Sequence, residues 1–176
     1  MVYSLTLTPE HGWLLLSLVL IAAECITIGF SVVGKARTKV FTKQWMETHF
    51  GKQHQEQIGA PVSHFGYPDM GNGRYAEKLP YNDWLYFNNA QRAHYNLIEQ
   101  ITTAFILLLV GGIAYPLYAA FCGFTFFIAR ILYCFYVSKE GATNKLRGIG
   151  AILGDIALLG GLVLAVLSGF EIINSK

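Results

Sequence analysis

Four runs of about twenty apolar residues constrain this chain more than anything else in it. A bilayer core asks for roughly 20 apolar residues per spanning helix. The runs cover about 12–33, 93–115, 117–137 and 148–170. Glu24, Arg130 and Asp155 interrupt the first, third and fourth, and the second opens with a polar stripe. Lipid offers no partner to a backbone N–H or C=O, so each run must close its own hydrogen bonds as a helix. The expected fold is all-α: an integral membrane four-helix bundle with a long ordered loop over 35–87, one domain over 1–176. Charge is scarce, 14% against about 25% in ordinary soluble domains.

Lys and Arg placement sets the expected orientation. Lys35, Arg37, Lys39, Lys43, Lys52, Arg74, Lys78 and Arg92 lie between the first two runs, and Lys139, Lys145 and Arg147 between the last two. Both basic loops are expected to face one compartment, the cytosol or a mitochondrial matrix. The N-terminus lacks the basic region of a signal peptide, and its apolar run is too long for one, so it reads as a retained helix. A net charge of +2 is too small to argue for a nucleic-acid partner. Cys25, Cys122 and Cys134 all fall inside apolar runs and read as packing residues, with neither a disulfide framework nor zinc spacing.

The loop is the unusual segment. It is long for a bundle connection, yet Trp45, Phe50, Phe65, Tyr67, Tyr75, Tyr81, Trp84, Tyr86 and Phe87 give it the apolar surface to fold. Val40 to Gln57 has the spacing of a short amphipathic helix. Gly66-Tyr67-Pro68-Asp69-Met70-Gly71-Asn72-Gly73 is dense in turn residues.

The polar residues inside the runs point to function or to helix pairing. Arg92, Asn96 and Glu99 stand at i, i+4 and i+7 and share one helix face. Glu99, Arg130 and Asp155 each lie about 10 Å from the basic end at 1.5 Å per residue. Arg130 is therefore expected to pair with Asp155, Glu99 or both. Glu24 lies deeper, at about 15 Å, and needs a partner of its own.

The stretch Phe87-Asn88-Asn89-Ala90-Gln91-Arg92-Ala93-His94-Tyr95-Asn96-Leu97-Ile98-Glu99 resembles the signature of the membrane-associated proteins in eicosanoid and glutathione metabolism, MAPEG. It looks closest to the type 3 microsomal glutathione S-transferase branch. Lys35-Ala36-Arg37, Gly111-Gly112, Tyr115-Pro116, Arg130-Ile131-Leu132-Tyr133 and Arg147-Gly148 agree in order. The resemblance implies a homotrimer of four-helix subunits in the endoplasmic reticulum or a mitochondrial membrane, with glutathione between adjacent subunits. It implies that Arg92, Asn96, Glu99, Tyr133 and Arg37 hold the tripeptide and that His94 contacts it. The reaction it implies is transfer of glutathione to lipophilic electrophiles, or reduction of lipid hydroperoxides.

The pattern also departs from the family. Gln100 and Ile101 stand where relatives carry Tyr, and Val137 replaces a second Tyr of the third helix. Asn144 aligns near the Arg that activates the thiol, leaving Lys145 and Arg147 as the candidate catalytic cations. The aromatic loop is longer than in typical members. These departures keep a second class open: a structural subunit of a larger membrane complex, such as a respiratory one, which binds other membrane subunits through loop 35–87.

Overall fold

The computed structural model describes residues 6–135 and 144–175, with the side chain of Phe135 left aside. Every regular element among the described residues is helical. Four helices are long and apolar enough to cross a membrane: 9–40, 81–112, 116–134 and 145–174.

The first rod is composite. α1 (Pro9–Ile28) starts at a Pro in the first position, and the Thr8 backbone N–H donates to His11 Nδ1 at 3.1 Å. A π-helical stretch, Gly29–Gly34, joins it to α2 (Lys35–Val40). Thr27 and Ser31 donate their hydroxyls back to the carbonyls of Ala23 and Thr27, which favours a local departure from regular α geometry. α5 (Tyr81–Gly112) begins directly after Pro80, well before the apolar run. α6 (Pro116–Phe135) opens on Pro116 after a tight turn. α7 (Lys145–Asn174) is capped by Asn144, whose Oδ1 accepts from the Leu146 and Arg147 amides at 3.0 and 3.3 Å. The first rod and α5 thus overrun their apolar segments mainly at the basic end.

Leu14, Leu18, Ile21 and Ile28 of α1 pack with Leu97, Ala104 and Leu108 of α5 and with Ala119, Ala120 and Phe126 of α6. Small residues let α7 approach closely. A Cβ at Gly150 would lie 2.6 Å from the Ala129 carbonyl oxygen and 2.7 Å from the Tyr133 nitrogen. A Cβ at Gly111 would lie 2.9 Å from Leu164 Cβ, and Ser168 Oγ donates to the Gly111 carbonyl at 2.9 Å.

The connection between α2 and α5 has a core of its own. The expected amphipathic segment is helical from Lys43 to Ile58, as α3 (Lys43–Met46), a π-helical turn (Glu47–Gly51) and α4 (Lys52–Ile58). Phe41, Met46, Phe50, Val62, Ala76 and Leu79 pack against Ala36, Val40, Phe87 and Ala90. Asp69 ties the turn-rich part together. Its Oδ1 accepts from the Gly71 and Gly73 amides at 2.8 and 3.1 Å, and its Oδ2 from the Tyr75 and Ala76 amides, both at 2.8 Å. The Trp84 indole and the Asn88 amide of α5 then donate to the Gly71 carbonyl, each at 3.1 Å.

Candidate functional site

The signature residues lie on the basic half of α5 and divide by face. Arg92 and Glu99 are exposed on the outside of the chain, with Asn96 half-buried at the edge of that stripe. Asn96 leads inward, because its Oδ1 accepts from Arg130 Nη1 at 2.6 Å. The Arg130 guanidinium lies over the Tyr133 ring, 4.8 Å from its centroid, and 5.3 Å from that of Phe126. Arg147 covers Tyr133 too, at 4.6 Å, and its Nη2 donates to the Tyr133 hydroxyl at 3.1 Å. Asn96, Arg130, Tyr133 and Arg147 therefore form one continuous polar string across α5, α6 and α7. Arg147 is 7% exposed, and its Nη1 is buried without a hydrogen-bond partner among the described residues.

This geometry corrects the expected ion pairing of Arg130. No acid forms an ion pair with it among the described residues, and Asp155 and Glu99 both point out of the chain. The reason lies at Gly154. A Cβ there would sit 2.6 Å from Arg130 Nη2, so the missing side chain makes room for the guanidinium. Asp155 follows about 100° further round the helix and faces away. Arg130 meets one amide oxygen and two aromatic rings instead, and its Nε is buried without a hydrogen-bond partner among the described residues. Glu24 is also buried, at 5% exposure, and neither carboxylate oxygen has a hydrogen-bond partner among the described residues.

Two candidates stand apart from the string. Arg37 is held by the loop: Nη1 donates to the Phe65 carbonyl at 3.1 Å, Nη2 to the Asp69 carbonyl at 2.6 Å, and its guanidinium lies 5.0 Å from the Phe87 ring centroid. His94 lies on the opposite face of α5 from Arg92, with its ring 3.6 Å from where a Gly29 Cβ would stand. Lys145 is exposed at the first residue of α7. Val137 lies outside the described residues. Gln100, which replaces a Tyr of the pattern, is half-buried with Oε1 unpartnered among the described residues.

A profile of the MAPEG family matches residues 14–167. The chain belongs to the MAPEG family. No solved structure matches it. The family match spans all four long helices and the loop, and it makes the chain an integral, multi-pass membrane protein. MAPEG proteins in general use glutathione and are commonly trimers. Membership supports a glutathione transferase or peroxidase type of function at the level of the family.

Two residues that organise this site carried weaker sequence signals. Arg130 is legible as a cation inside an apolar run, but its bond to Asn96 depends on how α5 and α6 are rotated against each other. Asp69 sits in a run of turn residues, where an Asp side chain commonly accepts from nearby amides, and that was the signal for its clasp.

Proposed function

We propose that this MAPEG protein conjugates glutathione to lipophilic electrophiles, or reduces lipid hydroperoxides with it, at the membrane. The polar string ending in the unpartnered Arg147 Nη1 carries this reading. From Arg92 to Glu99 the stripe is about 10 Å long, and an extended tripeptide is of similar length. Arg92 would meet a glutathione carboxylate. Asn96 would lie beside the backbone amides and Glu99 would meet the ammonium. Arg92 and Glu99 are exposed in a segment that crosses lipid, so further copies of the chain, in a homotrimer, would cover them and close the site.

A cysteine-type thiol has an ordinary pKa of about 8.5 and reacts as the thiolate. A cation beside it favours that form. Arg147 and the Tyr133 hydroxyl, with Lys145 at the exposed helix start, would take this role. In transfer, the thiolate sulfur forms a bond to the electrophilic carbon, and the leaving group departs with the bonding pair or the addition product takes a proton. In the peroxidase reaction, sulfur attacks the hydroperoxide, the O–O bond breaks and the alcohol leaves. A second glutathione then closes the disulfide and releases water.

Arg37 favours a second reading. Its committed contacts to the loop leave the loop-side cation engaged, as in a structural subunit of a larger membrane complex. Turnover separates the two readings. Arg147→Ala should cut kcat for a lipophilic electrophile at least tenfold with a smaller change in the KM for glutathione. Wild type with no turnover above the uncatalysed rate would leave the structural-subunit reading.

A further inference from the structure

The loop between α2 and α5 contains a cavity of about 430 Å³, framed by α4 on one side and residues 74–78 on the other. That volume falls in the ~300–1,000 Å³ range of small-molecule sites. Its apolar wall is aromatic: the Phe50 and Tyr75 rings lie 4.7 Å apart between centroids, with Ile58 at the rim. Its polar wall carries two cations, Arg74 and Lys78, and α4 across from it adds two amides, Gln53 and Gln57. Lys78 Nζ lies 5.7 Å from the Phe50 centroid, so one cation borders the apolar wall. Glu77 also lines the cavity, yet among the described residues neither Arg74 nor Lys78 forms an ion pair with it.

The polar wall is built rigidly. The Asp69 carboxylate holds the amides of Gly73 and Tyr75, on either side of Arg74. The Lys78 amide donates to the Tyr75 carbonyl at 3.1 Å, which closes the short helical turn carrying the second cation. On the opposite wall, His54 Nδ1 lies 2.8 Å from the Ala60 carbonyl and fixes the end of α4. Two cations that form no ion pair among the described residues, carried on a held backbone beside an aromatic wall, suit a ligand with an oxyanion at one end and hydrocarbon at the other.

We infer that this cavity binds the acidic head of an amphiphile, a carboxylate or phosphate carrying an apolar chain. Arg74 and Lys78 hold the oxyanion, and Phe50, Tyr75 and Ile58 take the first part of the chain. The site is separate from the signature stripe and stands whether or not the protein turns over glutathione. The ligand has two sources, a free fatty acid or an anionic phospholipid of the surrounding bilayer.

Trp45, whose ring centroid is 5.9 Å from that of Phe50, is a built-in reporter. The test uses the full-length protein in nanodiscs of neutral lipid, carrying Trp13→Phe and Trp84→Phe so that Trp45 alone reports. A brominated fatty acid is titrated in one arm, and brominated phosphatidic acid is built into the nanodisc in the other. Wild type should show saturable quenching in at least one arm. Arg74→Ala/Lys78→Ala should weaken it at least tenfold, while Lys52→Ala, a cation outside the cavity, should not. The arm that responds names the source. Retained amide protection at Gly71 and Ala76 in the double variant establishes that the loop is intact. Quenching of equal strength in wild type and the double variant, or no saturable quenching in either arm, overturns the inference.

Discussion

Asp69→Ala should open the α2–α5 loop while leaving the four membrane helices in place. The carboxylate accepts four backbone amides, and two of these bonds, to Gly71 and Ala76, are fully buried. An unsatisfied buried donor costs about 1–3 kcal/mol, so the two together cost about 2–6 kcal/mol. The Gly73 and Tyr75 amides are only partly buried and add less, because water reaches them in the variant. The smallest cost, about 2 kcal/mol, already corresponds to roughly a thirtyfold loss of protection. Hydrogen exchange read by mass spectrometry on the protein in nanodiscs is the assay. Peptides covering 64–79 should exchange at least thirtyfold faster, and those covering 97–110 should keep their wild-type rates. Asp69→Asn should fall between, since it keeps one acceptor oxygen but turns an N–H₂ toward the remaining donors. Unchanged exchange at residues 71–76 in Asp69→Ala would refute the claim that this side chain holds the loop.

Three other substitutions probe the packing and the site. Gly150→Ala would press a methyl against the backbone of Ala129 and Tyr133, and should destabilise the bundle by about 1–3 kcal/mol in thermal or denaturant unfolding. Gly66→Ala would place a Cβ into the Phe41 ring at a residue with φ +60°. The left-handed backbone alone costs about 1–2 kcal/mol, and faster proteolysis between α4 and α5 would register it. Tyr133→Phe keeps the ring between Arg130 and Arg147 but removes the hydroxyl that accepts from Arg147. It should leave stability within about 1 kcal/mol and raise the pH at which the bound thiol ionises, followed by the ultraviolet band of the thiolate.

The sequence was most informative where one physical requirement dominated. Twenty apolar residues in lipid must be helical, so the spans were readable, and an unbroken signature located the polar stripe on α5. The ends of the helices were harder, since Tyr81 to Arg92 is polar enough to look like loop and becomes helix because Pro80 starts it and Phe87 and Ala90 bury against the loop core. The loop's aromatic content announced that it could fold, but not that Asp69 would gather four amides. Counting depth along each helix put Arg130 level with Asp155 and Glu99, which holds as arithmetic. What depth could not give was rotation about the axis. Gly154 brings α7 against the guanidinium and turns Asp155 outward, so level groups do not meet. The loop contacts of Arg37 are hidden for a similar reason, since a long loop with its own core supplies carbonyls that the family pattern does not anticipate.

Glutathione binding to the purified protein, measured by calorimetry on wild type and on Arg92→Ala, tests the central claim most directly. The polar stripe on α5 as a tripeptide site predicts a saturable isotherm for wild type and affinity at least tenfold weaker for the variant. Binding of equal strength in both, or no binding by wild type, would contradict it.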